Sequence, residues 1–205
     1  MSNKNSLSNC RWLFLLVVLV VLTRAASAQK REVIYGSLNG LKAQKSYDIT
    51  FTYDSMFVGM EVPEKRYLEV KRKAWDEKEP GKGDAFVAQW YDARRKLYEP
   101  TFIKSFEKFA LLKLNDTTAR YTMILKTYHT EAGWNLGVAD HAGEIGGELW
   151  IVESADTNKI VAVISLFECL GTDSSGGDFE MTRRIQSAYA SAGKWLGEFV
   201  RRKAK

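Results

Sequence analysis

The segment from Lys159 to Leu170 limits the possible folds of this chain more than any other part of its 205 residues. Its middle, residues 160–167, is Ile-Val-Ala-Val-Ile-Ser-Leu-Phe. Successive side chains of a β-strand point to opposite faces of the sheet, so a strand of this composition is apolar on both faces. We therefore expect a strand that is covered on both sides, or covered by helices on one side and by a partner on the other.

Three further strands are predicted before it. Tyr47–Tyr53 alternates apolar and polar residues with period two, and residues 121–131 and 148–154 also favour strands. The sequence Ala155-Asp156-Thr157-Asn158 predicts a hairpin turn, because Asp and Asn tolerate left-handed backbone. Residues 29–44 show no clear period and are expected to form a lead-in segment.

Apolar residues at helical spacing predict three helices in the middle of the chain. The first begins at Pro63 and continues to residue 76. The second is capped by Asp84 and ends before Pro100, and a shorter helix follows over residues 102–110. The aromatic side chains of this 84–110 helical segment require a large surface to pack against, and a sheet provides one.

A long amphipathic helix is predicted from Asp178 to the C-terminus. Its apolar stripe faces the core, and we expect its opposite face to be solvated. That opposite face consists of Arg183, Arg184, Ser187, Ser191, Lys194 and Glu198. The order of elements predicts an α+β fold: a small mixed, largely antiparallel sheet with helices packed on it and a long amphipathic C-terminal helix, all in a single domain over residues 29–205.

The first 28 residues predict a cleavable signal peptide. Lys4 and Arg11 make the start basic, residues 12–22 form a run of 11 apolar residues, and Ala26-Ser27-Ala28 is a small-residue cleavage pattern before Gln29. The run is shorter than the ~20 residues that a membrane-spanning helix requires. We therefore expect an exported protein, periplasmic or secreted, with no transmembrane span after cleavage.

Removal of the signal peptide changes the charge and the cysteine count. The chain carries 30 Lys and Arg against 25 Asp and Glu, or +5, and three of the basic residues lie in the signal. A mature chain of nearly balanced charge, together with export, argues against a nucleic-acid partner. Cys169 is then the only cysteine, so no intramolecular disulfide forms, and its apolar context indicates a buried side chain.

The strongest candidate for chemistry is a group of polar residues around the two histidines, His129 and His141. Asp140 and Glu144 flank His141, and together the four could hold a divalent metal or supply a base and its orienting carboxylate. The chain has no His-Glu-x-x-His motif and no cysteine pair. The plainer interpretation is that His129 ends a strand and His141 forms local hydrogen bonds in a loop.

Other catalytic and binding motifs are absent from the sequence. It contains no Gly-x-Ser-x-Gly nucleophile elbow, and the loop at residues 171–178 has acidic residues where a phosphate-binding loop needs Lys and Ser or Thr. We expect no cofactor. A small-ligand carrier stays open as an alternative, with Trp90, Tyr91, Trp134 and Trp150 lining a pocket.

The C-terminus ends in a basic tip, with Arg201, Arg202, Lys203 and Lys205. Cations here offset the negative end of the helix dipole, and a contact with a membrane surface or with nucleic acid is the alternative. Export disfavours nucleic acid.

The segment Gly147–Ala162, followed by a second strand, a Gly-rich loop and a long amphipathic helix, resembles the TolB N-terminal-like and CsgG-like periplasmic domains of bacterial envelopes. Asn158 stands where those domains usually have Gly. The 84–110 helical segment lies outside the resemblance. The resemblance implies a small mixed sheet with helices on one face, a role in assembly or interaction at the cell envelope, and no shared catalytic residues.

These observations favour a non-catalytic exported module that binds an envelope protein or a membrane-surface component. The competing hypotheses are a secreted metal-dependent enzyme or metal-binding protein using His129, His141, Asp140 and Glu144, and the small-ligand carrier.

Overall fold

The computed structural model describes residues 32–175 and 180–204 and has the α+β fold expected from the sequence. The predicted signal peptide and the start of the last helix at Asp178 lie outside the described residues. Nine strands are described: β1 (Val33–Gly36), β2 (Asp48–Thr52), β3 (Phe57–Val58), β4 (Val62–Pro63), β5 (Tyr121–Glu131), β6 (Trp134–Asn135), β7 (Asp140–His141), β8 (Glu144–Glu153) and β9 (Asp156–Leu170).

Seven of these strands form one mixed sheet in the order β1-β9-β8-β5-β3-β4, with β2 also paired to β5. β2 and β3 run parallel to β5, and the other pairs are antiparallel. β6 and β7 form a separate hairpin. The predicted strand at residues 159–170 is therefore β9, which lies between β1 and β8.

Four α-helices are described: α1 (Glu64–Asp76), α2 (Lys82–Ala93), α3 (Glu99–Ala110) and α4 (Met181–Lys203). A π-helical turn, Arg94–Tyr98, joins α2 to α3, so Pro100 lies in the first turn of α3 and does not interrupt the chain with a loop. α4 packs on β8, β9 and α3, and it places Ile185, Ala188, Ala192 and Leu196 in a fully buried position.

Several local predictions are wrong. The lead-in segment contains β1, which pairs with β9 although its residues have no clear period. The predicted β8–β9 hairpin forms, but its turn is at Ser154–Ala155 and overlaps the predicted turn only at Ala155, since Glu153 already pairs with Asp156. Asp84 does not cap α2; it pairs with Arg72 at 2.7 Å, and the carboxylate of Asp76 accepts the backbone N–H groups of residues 81 and 83.

The prediction of a solvated face on the last helix is also partly wrong, because Arg184 and Ser191 are buried. A buried guanidinium is tolerated only when its N–H groups are hydrogen-bonded. Arg184 donates to three backbone carbonyl oxygens in two loops, those of Ala132, Gly133 and Ser175.

An ion pair links the first helices to the sheet. Arg94 pairs with Glu64, both side chains being 14% exposed, and Trp90 Nε1 donates to the same carboxylate at 2.5 Å. The guanidinium also lies over the ring of Tyr53, 4.1 Å from its centroid, and the Tyr53 hydroxyl donates to Glu99 at 3.1 Å. This network fixes α1, α2 and α3 beside β2.

Close packing of α4 against α3 depends on glycine. A Cβ atom on Gly193 would lie 2.5 Å from the carbonyl oxygen of Phe102 and 3.0 Å from the nitrogen of Phe106. One turn later, a Cβ atom on Gly197 would lie 2.8 Å from the Phe106 oxygen. The two helix backbones therefore touch directly.

We predict that Gly193→Ala destabilises the protein by about 1–3 kcal/mol, because the contact with α3 must open. Helix propensity alone would give the opposite sign, a gain of about 1 kcal/mol. Urea unfolding measures the change in the free energy of unfolding, and Lys194→Ala, at the neighbouring exposed position, is the control variant. A stabilised Gly193→Ala variant would contradict the close packing.

Candidate functional site

A groove of about 410 Å³ lies where the β3–β4 hairpin, α1, the end of β5 and the start of α4 meet. We call it the aromatic groove. Its apolar lining includes Met60, Val62, Tyr67, Trp75, Phe86 and Trp134. Lys71, Glu131 and Arg184 are the charged residues of the lining.

The helical wall of the aromatic groove is held by ring contacts. Trp75 of α1 stacks on Phe86 of α2 with ring centroids 6.3 Å apart, and Lys78 Nζ lies 4.2 Å from the Trp75 centroid. Tyr67 packs at 5.3 Å against Trp90, which is buried. These contacts fix the wall before any ligand arrives, which lowers the entropic cost of binding.

Arg184 holds the opposite wall. Its Nε donates to the carbonyl oxygen of Ala132 at 2.9 Å, and its two terminal nitrogens donate to Gly133 at 3.3 Å and Ser175 at 3.1 Å. Gly133 has φ 65°, and a Cβ atom there would lie 2.4 Å from the carbonyl oxygen of His141. The buried guanidinium therefore sets the position of the loop that carries Trp134.

Large apolar side chains are exposed at the mouth of the groove and beyond it. Met60, at the tip of the β3–β4 hairpin, is 95% exposed, and Trp134 is 43% exposed. The turn of the β6–β7 hairpin adds Leu136 at 72% and Val138 at 96%. Single exposed apolar residues are ordinary, but a group around a groove marks a binding surface.

A second pocket, of about 480 Å³, shares Gly59 with the aromatic groove. We call it the acidic pocket, because it is lined by Glu61, Glu144, Glu148 and Glu168 together with His129. Two irregularities of strand register border it, one in β5 between Thr127 and His129 and one where β8 meets β9 near Ile145. Bulges of this kind re-aim side chains at the edges of functional sites.

His129 and Glu144 lie side by side in the acidic pocket. His129 Nε2 is 2.9 Å from the carbonyl oxygen of Gly59, so this nitrogen carries the proton and donates it. The other ring nitrogen, Nδ1, lies 3.8 Å from Glu144 Oε1. Burial raises the pKa of the Glu144 carboxyl above its usual value, and the nearby carboxylates of Glu168 and Glu131 act in the same direction, while the histidines oppose them.

The other two residues of the predicted metal group point elsewhere. Asp140 accepts a hydrogen bond from Ser174 Oγ at 2.7 Å, and the His141 ring stacks on Trp134 at 6.3 Å. Within the described parts of the chain, no group of three or more His, Cys, Asp or Glu side chains is arranged to hold a metal ion. His129 and Glu144 are thus brought together, and Asp140 and His141 are not placed with them as ligands.

The four aromatic residues of the carrier hypothesis also separate. Trp134 lines the aromatic groove, whereas Trp90 is in the core and Tyr91 is exposed beside Arg94. Trp150 lies on the sheet, with Lys126 Nζ 3.3 Å from its ring centroid and its Nε1 donating to Glu148.

Cys169 is fully buried, as its sequence context indicates, and its thiol lies 3.6 Å from the carbonyl oxygen of Ala188. No helix within residues 32–175 or 180–204 has the length and hydropathy needed to cross a bilayer.

Sequence reasoning missed Met60 and Arg184 as site residues. Met60 follows Gly59 in what looked like a plain link, and Arg184 occupies a helix position that matches a solvated face. The Gly-Met-Glu tip between two apolar residues, Val58 and Val62, is the one local signal that could have indicated an exposed hairpin.

No protein-family model and no curated protein matches this sequence. Among solved structures, the PelC dodecamer from Paraburkholderia phytofirmans aligns with a TM-score of 0.37 and 10% identity, over 86% of this chain and 98% of that one. A point-substituted form of the same dodecamer, in a second crystal form, aligns with a TM-score of 0.34 and 11% identity, over 83% and 95%. Values this low assign neither a family nor a function to this chain.

We predict that Glu144→Gln flattens the pH dependence of stability. A carboxyl whose pKa is raised by folding binds protons more strongly in the folded than in the unfolded chain, so stability falls as pH rises from its ordinary value of 4.5 through the raised pKa. Glutamine cannot ionise, and the fall should disappear. Urea unfolding at a series of pH values between about 4 and 7 measures it; a slope unchanged from that of the native protein would contradict the assignment.

Proposed function

We propose that this chain is a non-catalytic binding module of the cell envelope, which uses the aromatic groove and the acidic pocket together to bind a partner protein. The observation that supports the groove as the site is the exposed apolar group made by Met60, Trp134, Leu136 and Val138 around a prearranged aromatic wall. Burying each such side chain contributes about 1.5–3 kcal/mol, so covering several of them is a substantial driving force.

A protein suits this surface better than a small molecule does. The groove volume, about 410 Å³, would accept a small ligand. However, Leu136 and Val138 project from the β6–β7 turn, beyond the groove, and a ligand inside the groove would leave them in water. A protein surface covers the groove and the turn at once.

The charges next to the groove specify the partner further. Four carboxylates line the acidic pocket, and Gly59 is common to both pockets. A partner segment with one or two large apolar side chains next to a Lys or Arg would fill the groove and place its cation among the carboxylates. β-Strand addition at the neighbouring sheet edge is disfavoured, since β4 contains Pro63, which has no N–H group.

Export and the envelope location rest on the sequence of residues 1–28 and on the resemblance to TolB N-terminal-like and CsgG-like domains. Both remain part of the proposal. The geometry of the histidine group gives no support to metal-dependent catalysis, because only His129 and Glu144 of the four candidates face each other.

Site-specific photo-crosslinking in the native organism tests the proposal. A photoreactive residue at Met60 should give a discrete adduct with one partner, and the same residue at Val70 should not. Val70 belongs to α1, is 51% exposed and does not line the groove, so it is a matched control.

The purified exported chain should begin at Gln29.

A substitution in the groove lining measures how much the groove contributes to partner binding. Val62→Asp places a charge in the groove lining and should weaken partner binding at least ten-fold, whereas Val70→Asp should not. Equal crosslinking from positions 60 and 70, or a stoichiometric small molecule found in the purified native protein, would contradict the proposal.

A further inference from the structure

The end of the molecule remote from the groove has a cavity of about 340 Å³ with an apolar floor and a basic rim. We call it the basic cavity. It lies between residues 41–47, the end of α3 and the end of α4. The floor includes Leu41, Tyr47, Leu112 and Val200, and the rim has Lys42, Lys45 and Arg201.

The rim cations are available to a ligand. All three are exposed, and among the described residues none of them lies within ion-pairing distance of a carboxylate. Lys113 adds a nearby charge; its side chain is 79% exposed and its Nζ is 4.0 Å from Glu107. The helix dipole accounts for cations in the last turn of α4, but Lys42 and Lys45 belong to a different segment.

An exposed leucine stands at this end of the molecule. Leu111 lines the basic cavity, is 73% exposed and has φ 59° at the C-cap of α3. Glycine is the usual residue in this left-handed position, since a side chain there costs about 1–2 kcal/mol. Because most of the leucine side chain is in water, the fold gains little from it, which points to a contact outside the chain.

The floor contains a buried tyrosine. Tyr47 is fully buried, and its hydroxyl has no hydrogen-bond partner among the described residues. Burial raises the pKa of this phenol to about 12, so it stays protonated at neutral pH.

We propose that the basic cavity is a docking site for the surface of an anionic phospholipid bilayer. Lys42, Lys45 and Arg201 meet the lipid phosphates, and Leu111 enters the boundary between headgroups and acyl chains. Exposed cations around one protruding apolar side chain complement an anionic membrane in charge and in polarity. A protein partner at this end is an alternative that the experiment below separates.

The positions of the two sites on α4 also orient the molecule. Arg184 lies at the groove end of α4 and Arg201 at the basic cavity, which places the two sites about 25 Å apart along the helix. The acidic pocket lies at the groove end, and α1 beside the groove also carries several cations, so the orientation follows from the separation of the two sites and not from net charge. The bound module therefore presents its groove away from the membrane.

Co-sedimentation of the purified exported protein with vesicles tests this inference. The protein should bind vesicles of equal parts phosphatidylglycerol and phosphatidylcholine, bind pure phosphatidylcholine at least ten-fold more weakly, and be released by about 0.5 M salt. Lys42→Ala/Lys45→Ala should weaken binding roughly 25-fold, since each cation contributes about five-fold. Lys65→Ala/Lys73→Ala, two exposed residues of α1, is the charge-matched control and should change binding less than two-fold.

The variant Leu111→Gly distinguishes a loss of vesicle binding from a loss of stability. Glycine relieves the left-handed backbone, so the variant should unfold at the same or a higher urea concentration, yet bind the vesicles about ten-fold more weakly. Equal binding to both vesicle types, or full binding by either variant, would overturn the inference and leave a protein partner at this end. None of these substitutions touches the aromatic groove, so the groove proposal stands or fails separately.

Discussion

Direct backbone contact between α3 and α4 is the constraint on which the rest of the molecule depends. Gly193 and Gly197 leave no room for a Cβ atom, so α4 lies close against α3 while its apolar stripe covers β8 and β9. Interiors packed at this density do not adjust continuously. The helix is therefore held rigidly, and the aromatic groove and the basic cavity at its two ends keep a fixed separation.

Each end of α4 contributes residues to a different surface. At the first turn, Arg184 reaches into the loops around it and holds the backbone that carries Trp134 against the aromatic wall of α1 and α2. At the last turn, Val200 and Arg201 close a cavity whose other cations come from residues 42 and 45. The acidic pocket lies at the first end and the basic rim at the second. An anionic surface bound at the basic rim would therefore lie at the opposite end of α4 from the groove.

The fold class, the helices, the four longest strands and the burial of Cys169 could be predicted from the sequence, because hydrophobic periodicity decides them locally. β1 could not, since its pairing depends on β9, more than 120 residues further along the chain. Arg184 has the helix position of a solvated residue, and only tertiary contacts supply the carbonyl groups that allow its burial. For the same reason, sequence spacing suggested a four-residue histidine group, whereas the strand register joins His129 to Glu144 and turns His141 towards Trp134.

The central claim is that the molecule binds an anionic bilayer by one end of α4 and a partner by the other. Depth-dependent fluorescence quenching tests it most directly, with a label on a cysteine introduced at position 60 or 203; Cys169 is fully buried and does not compete for the label in the exported chain. On phosphatidylglycerol vesicles containing brominated lipid, the label at position 203 should be quenched and the label at position 60 should not. Quenching at position 60, or equal quenching at both positions, would contradict this account.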